Sequence, residues 1–142
     1  MATGFTGMDE NASLDAKVTA WGTCQLAIST TEATLDDTVV AGSTKGLTAG
    51  TFTEVSGGSY ARVSVPVASW GSAASRLKAN TSAITFPAPT ADWGTGLQYL
   101  VLFDSTGTQV RALFELDVAQ DVLNGGTALT IPIGGLVLSH EL

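Results

Sequence analysis

The sequence predicts an all-β fold: a single-domain antiparallel β-sandwich with a short N-terminal helix or arm and one long loop. Short apolar runs are separated by Gly, Ser, Thr, Asn and Asp along most of the chain, which is the pattern of strands and turns. The length of 142 residues fits one domain that buries about two thirds of its unfolded surface around one core. Strands at such intervals are typical of sandwiches, so we expect a jelly-roll or immunoglobulin-like arrangement.

The first predicted element is a short helix. In the segment NASLDAKVTAW, Leu14, Val18 and Trp21 repeat at helical spacing. Asn11 or Ser13 is placed to cap the N-terminus of this helix. A helix that ends near Trp21 would therefore present three apolar side chains to the sandwich.

The chain is expected to have two parts. Residues 1–22 should form an N-terminal arm and the short helix, and residues 23–142 should form the sandwich. Residues 31–51 have weak periodicity and many small side chains, so we expect an extended loop there. No linker rich in Pro or charge divides the remaining sequence.

The strands are assigned from apolar runs that end at turn residues. Asp104 to Gly107 should be the turn of a hairpin, because the residues after it alternate between apolar and polar. Asn124-Gly125-Gly126 supplies a second tight turn, which leads into a strand that Pro132 ends or interrupts. The predicted strands are residues 24–29, 63–67, 82–86, 97–103, 110–116, and 128–132 with 136–139.

The stretch TEVSGGSYARVSV contains a double glycine that either cradles a phosphate or turns the chain. A phosphate loop requires a following helix and a Lys-Ser or Lys-Thr pair. The residues after Gly58 alternate as a strand does, so the glycines are predicted to turn the chain. Glu54 and Arg62 flank this turn: either they pair locally, or Arg62 reaches across a subunit boundary.

The charge balance excludes one class of partner and favours another. Thirteen acidic residues against six basic ones give a net charge of −7 without a basic stripe, so nucleic-acid binding is not expected. Charged residues make up only 13% of the chain, against about a quarter in typical domains. Mean hydropathy is +0.28, yet neither a signal peptide nor a membrane-spanning segment is recognisable. This composition predicts an assembly component whose surface is partly covered by neighbouring subunits.

No pattern of catalytic or ligand-binding residues is present. The one histidine, His140, lies near the C-terminus, and Cys24 has the apolar neighbours of a buried thiol. The carboxylates occupy turns and strand faces, without the close spacing of a cation-binding loop or the aromatic cleft of a glycosidase. We therefore expect no enzymatic activity, no cofactor and no metal ion.

Four segments together resemble one family. They are TEVSGGSYARVSV, TSAITFPAPTADWGT, LQYLVLFDSTGTQVRALFEL and LNGGTALTIPIGGLVLS, which follow one another over residues 53–139. They are similar to small bacteriophage virion structural proteins of the tail-fibre-like or minor capsid (decoration) type. The shared elements are a Glu-Val-Ser-Gly-Gly-x-Tyr-Ala-Arg turn and an Ile-Thr-Phe-Pro-x-x-x-x-Asp-Trp-Gly segment. The resemblance implies an all-β particle component without catalysis.

The resemblance leaves three functions open. The first hypothesis is a head decoration or cement protein that binds and stabilises the major capsid shell, because the chain has arm-like segments and no long repetitive shaft. The alternative is a tail-fibre or tail-tip subunit. The third is a carbohydrate-binding module for host attachment, which would require an exposed aromatic platform such as Trp70 with Tyr60.

The implied partners are the major capsid protein and further copies of this chain, with a trimer favoured, in a virion assembled in the host cytoplasm. Neither nucleic acid nor a membrane is expected as a partner, and a glycan is expected only under the third hypothesis. Contacts should involve arm-like segments and the parts that differ from the family. The candidate contact residues are Phe5, Asp36, Asp37, Lys45, Arg62, Trp70 and Arg76.

Overall fold

Most of the regular structure is antiparallel sheet, as the sequence predicts. The computed structural model describes residues 7–32 and 52–139, apart from the side chains of residues 7–9. Within these residues lie one α-helix, one 3₁₀ turn (Val67–Ser69) and eight strands, which confirms the all-β, single-domain class. The elements are α1 (Gly7–Trp21), β1 (Cys24–Ser29), β2 (Val63–Val65), β3 (Leu77–Ala79), β4 (Ile84–Thr85), β5 (Gly94–Phe103), β6 (Val110–Val122), β7 (Thr130–Ile131) and β8 (Val137–Ser139).

The largest sheet has four strands in the order β2-β1-β5-β6, and all neighbouring strands are antiparallel. β5 and β6 form the predicted hairpin. In its turn, Asp104 Oδ1 accepts a hydrogen bond from Thr106 N at 3.0 Å. Gly107 has a φ of 72°, a conformation that glycine adopts without steric cost. The hairpin therefore places β6 at one edge of the sheet.

A second layer covers one face of this sheet. It consists of α1 and two small sheets, in which β3 pairs with β8 and β4 pairs with β7. Apolar side chains from both layers form the main hydrophobic core. Leu26 and Leu100 enter this core from the large sheet, and Phe86 and Ile131 enter it from the second layer. This two-layer packing leaves β6 and the strands β7 and β8 facing each other across an open side.

The inner strands of the large sheet are buried on both faces. Leu100 and Leu102 of β5 point into the main core, whereas Val101 and Phe103 belong to a second cluster with Ala27 of β1. Successive side chains of a strand point to opposite faces. The continuous apolar run at the end of β5 is therefore the pattern of a strand with no solvent-facing side.

Helix α1 packs against the core through the predicted apolar positions but begins earlier than predicted. It starts at Gly7, so Asn11 and Ser13 lie inside the helix and do not cap it. Asn11 Oδ1 instead accepts a hydrogen bond from Arg76 N at 2.8 Å. The predicted cap was wrong because the helix begins before Asn11, whose side chain binds a residue that is distant in sequence.

A second polar contact fastens α1 to β3. Asp15 Oδ1 accepts hydrogen bonds from Lys78 Nζ at 2.6 Å and from Ala73 N at 2.9 Å. The hydrogen bond from Lys78 holds the pKa of the Asp15 carboxyl below its ordinary value of 3.8. The Asp15 carboxylate is therefore charged at neutral pH, and its two hydrogen bonds fix the orientation of the helix on the second layer.

The strand predictions are confirmed in position, with two differences. β1 has the predicted bounds, and the other predicted runs each overlap a strand. β6 continues to Val122, although the clear alternation ends at Leu116, because Gly94 at the start of β5 pairs with Val122. β3 was not predicted, since its short Leu-Lys-Ala sequence is defined only by its pairing with β8.

Parts of the predicted domain division lie outside the described residues. Residues 1–6 of the predicted arm and residues 33–51 of the predicted loop are not described. The division at residue 22 and the extended loop over 31–51 stay predictions.

The double glycine turns the chain, as predicted, but it does not join a hairpin. Residues 53–55 lie along the edge of β1, where Val55 N donates a hydrogen bond to Ile28 O at 3.0 Å. β2 pairs with the first half of the same strand. Residues 56–62, which we call the glycine loop, therefore leave the edge of β1 and return to it.

The glycine loop docks on the segment that precedes β5. Trp93 Nε1 donates a hydrogen bond to Gly58 O at 2.9 Å, and the Tyr60 and Trp93 rings meet edge to face with centroids 5.3 Å apart. Ser59 Oγ donates a hydrogen bond to Ala88 O at 2.5 Å. Two of the segments that carry the resemblance thus form one packed unit.

Glycine at position 58 is required by this docking. A Cβ there would lie 2.5 Å from Ala91 N, and the backbone φ is 21°. We expect Gly58→Ala to lower the free energy of unfolding by about 3 kcal/mol, through both the clash and the backbone strain. Urea unfolding followed by tryptophan fluorescence measures this loss.

Gly96→Ala is the matched control. Gly96 also has a positive φ, 65°, but open space surrounds its Cβ position. Its substitution should cost only the backbone term of about 1 kcal/mol. Equal losses for the two variants would contradict the docking account.

Candidate functional site

The predicted contact residues do not form one site in the described structure. Phe5, Asp36, Asp37 and Lys45 lie outside the described residues. The other three are Arg62 in the glycine loop, Trp70 after the 3₁₀ turn and Arg76 before β3. No partner chain tests any of them, so their role in contacts stays a prediction.

Arg62 pairs locally with Glu54, which confirms the first of the two hypotheses for this residue. The pair is bidentate: Arg62 Nε lies 2.8 Å from Glu54 Oε1, and Nη2 lies 2.9 Å from Oε2. Nη1 donates a hydrogen bond to Gly107 O at 2.7 Å, and the guanidinium lies 4.0 Å from the centre of the Phe103 ring. Arg62 therefore ties the glycine loop to the β5–β6 turn.

Tyr60 completes this network from inside the loop. Its hydroxyl donates to Glu54 Oε1 at 2.9 Å and accepts from Ile28 N at 3.1 Å. Burial raises the pKa of Tyr60, so the hydroxyl remains a donor at neutral pH. The hydrogen bonds from Arg62 lower the pKa of Glu54 below its ordinary value of 4.5.

Trp70 and Tyr60 do not make an exposed aromatic platform. Trp70 is 6% exposed and packs in the main core, because the 3₁₀ turn directs its ring inward. Tyr60 packs against Trp93. Arg76 does present an exposed guanidinium, which also contacts the buried carboxylate of Glu10.

The groups considered for catalysis have structural roles where they are described. Cys24 is fully buried, and burial raises the pKa of its thiol to about 11, so the thiol stays protonated. His140 lies outside the described residues. In residues 7–32 and 52–139, no three His, Cys, Asp or Glu side chains are grouped as a metal site requires. In the same ranges, no helix is long and apolar enough to cross a membrane.

The open side between the two layers carries a groove. Its volume is about 980 Å³, and its walls are the second half of β6 and the chain from residue 127 to Val137. Its lining combines apolar side chains with polar ones, including the carboxylates of Glu115, Asp117 and Asp121, and contains no Lys or Arg. We call this feature the acidic groove.

An irregularity in β6 shapes the acidic groove. Leu97 pairs with Gln120 and Tyr99 with Glu115, so the residues between Glu115 and Gln120 bulge opposite Gln98. Gln98 Nε2 holds the bulge by donating to Leu116 O at 3.0 Å. The bulge directs Val118 to solvent, where 68% of it is exposed. An apolar side chain this exposed at a groove is typical of an interaction surface.

Asn80 fixes the opposite wall of the acidic groove. This buried side chain donates to Pro132 O at 3.0 Å and to Ser82 O at 2.8 Å, and it accepts from Leu136 N at 2.9 Å. Both the amide nitrogen and the amide oxygen of Asn80 are thus hydrogen-bonded. The wall is therefore held in place before any partner binds.

A smaller groove continues along the first half of β6. Lys17 and Arg111 line it, without any Asp or Glu. It meets the acidic groove at Leu113, Phe114 and Val137. We call it the basic groove. Arg111 Nη2 lies 3.0 Å from Asp104 Oδ2, so of these two cations Lys17 is the one without an ion pair within the described residues.

Sequence reasoning missed both grooves. The sequence predicts that the carboxylates of β6 lie on a strand face, and it predicts the residues of the opposite wall as a separate turn and strand. The available signal was the break in alternation after Leu116, where Asp117 and Val118 follow in the same strand. That break does not reveal which residues lie across the groove.

One known family matches most of the chain. Residues 15–139 match the family described as podophage GP4 fiber I protein gp80. The chain belongs to this family. No curated protein and no solved structure gives a match. The family makes the chain a bacteriophage structural protein and a virion component, which agrees with the coarse level of the resemblance.

The Glu54–Arg62 pair predicts a pH dependence of stability. Because the pKa of Glu54 is lower in the folded chain, its contribution is complete above the ordinary value of 4.5 and is lost as the pH falls through the folded value. Glu54→Gln should therefore lose less stability than the natural chain as the pH falls below 4.5. Urea unfolding at a series of pH values measures the difference.

Glu32→Gln is the control, because the exposed Glu32 has no ion pair within the described residues. It should keep the pH dependence of the natural chain. A Glu54→Gln variant with that same dependence would show that the pair contributes nothing to stability.

Proposed function

We propose that the chain is a non-enzymatic structural subunit of a virion fibre. The observation that carries the proposal is the family match, whose description names a podophage fibre protein. The match spans residues 15–139, which include the large sheet and both walls of the acidic groove. The acidic groove therefore lies within the domain that defines the family.

This proposal selects the tail-fibre or tail-tip alternative from the sequence-based hypotheses. Low charge and high hydropathy support assembly with other subunits, but they do not distinguish a fibre from a head decoration. The family description favours the fibre. Under this proposal the partners are further copies of the chain and other tail proteins, whereas binding to the major capsid protein belongs to the head-decoration hypothesis.

A passive role is supported by the chemistry of the described residues. The Cys24 thiol is buried and protonated, and Glu54, Asp15 and Asp104 are each held in a structural ion pair. Glycan binding by an aromatic platform has little support, because Trp70 is in the core. The charged side chains in these ion pairs therefore stabilise the fold.

The position of the chain in the virion tests the proposal. We expect the chain to co-purify with tails when particles are disrupted and separated into heads and tails, because a fibre subunit is attached to the tail. Quantitative mass spectrometry of the two fractions measures this, with the major capsid protein as the marker for heads. Recovery with the heads would favour decoration, and absence from purified particles would refute a virion role.

A further inference from the structure

The acidic groove combines an unpaired strand edge with negative charge that this chain does not neutralise. We propose that it binds an extended segment of a different protein, one that carries Lys or Arg between apolar residues and adds to the sheet as a strand beside β6. Naming this partner deepens the proposed function and rests on it, because a fibre subunit has to bind another tail protein.

The course of the groove along β6 is the first observation. Residues 113–118 line the groove without a gap. Since successive side chains of a strand point to opposite faces, a continuous lining means that the groove follows the edge of the strand. β6 is the last strand of its sheet, and no described strand pairs with its outer side. The free N–H and C=O groups of such an edge bind an extended segment by strand addition.

The apolar surface around the groove is the second observation. Five large apolar side chains are exposed among the described residues. Two of them, Val118 and Val137, line the groove, and Leu123 and Ile133 each follow a lining residue in sequence. Apolar side chains concentrated in this way mark a contact surface. The volume of about 980 Å³ is at the upper end of the range of about 300–1,000 Å³ for ligand pockets, so several side chains of a partner fit there.

The charge of the groove is the third observation. Glu115, Asp117 and Asp121 line it, and no Lys or Arg does. Asp117 is exposed and has no ion pair within the described residues. Carboxylates at a strand edge repel an acidic segment and attract a basic one. The complementary segment therefore carries Lys or Arg.

The cations of this chain are used elsewhere, which is why we assign the segment to a different protein. The chain has six Lys and Arg residues in all. Lys17 lines the basic groove, and Lys45 lies outside the described residues. The other four are in ion pairs within the fold: Arg62, Arg76, Lys78 and Arg111. A second copy would thus bring little free positive charge to the three carboxylates.

Three synthetic ten-residue peptides test the proposal on the purified chain. The first alternates Lys and Val, the second alternates Glu and Val, and the third is the Lys-Val peptide with every backbone nitrogen methylated. The Lys-Val peptide should bind at least about tenfold more tightly than the other two, because it alone offers both positive charge and backbone donors. Fluorescence anisotropy of labelled peptides measures the affinities.

Two variants with the same change of net charge test the place of binding. Asp117→Lys should weaken binding of the Lys-Val peptide by about tenfold, since a repulsion replaces an attraction. Glu32→Lys is the matched control, because Glu32 is exposed and lines neither groove, and it should bind as the natural chain does. Circular dichroism checks that both variants are folded, and the comparison of the three peptides on the natural chain needs neither variant.

Amide hydrogen exchange of the natural chain shows whether the edge is free. The N–H groups of β6 that do not pair with β5 should exchange fast in the chain alone and more slowly once the Lys-Val peptide is added.

Several results would overturn the proposal. They are no binding of the Lys-Val peptide, equal binding of the three peptides, and equal binding to folded Asp117→Lys and Glu32→Lys. Slow exchange along the outer side of β6 before any peptide is added would overturn it as well, because a segment of this chain or a second copy would then occupy the edge. None of these results changes whether the chain is recovered with tails or with heads, so the two proposals fail separately.

Discussion

The pairing of β5 with β1 on one side and β6 on the other is the interaction on which the structure depends. Val101 and Leu102 are buried on opposite faces, so both hydrophobic clusters are built on this strand. The glycine loop contacts both ends of β5. Trp93, just before the strand, donates a hydrogen bond to Gly58 O, and Phe103, at the end of the strand, lies under the Arg62 guanidinium. β5 is hydrogen-bonded to a strand on each side. The edge that no described strand pairs with, on this side of the sheet, therefore belongs to β6.

β6, at the edge of the large sheet, lines both grooves. β6 faces the second layer across a groove whose other wall is fixed by the buried Asn80, so the surface exists without a partner. Glu115, Asp117 and Asp121 line this groove, and Lys17 lines the neighbouring basic groove. A virion structural protein must make repeated contacts of one geometry, and a surface fixed by its own chain supplies that geometry at little entropic cost.

The sequence was sufficient for the local elements and insufficient for contacts between distant segments. The bounds of β1 and the β5–β6 hairpin followed from apolar runs and turn residues, and the Glu54–Arg62 pair followed from their spacing around the glycines. Asn11 was misread as a cap because its hydrogen-bond partner, Arg76, belongs to another segment. The sequence neighbours of Trp70 do not indicate whether its side chain is exposed or buried. The grooves combine β6 with residues around Asn80 and Leu136, and one sequence contains no signal for that combination.

Cryo-electron microscopy of intact particles tests the central claim most directly, namely that this domain is a fibre subunit. The account predicts density for the chain in a fibre attached to the tail. Density for the chain over the head shell would contradict it.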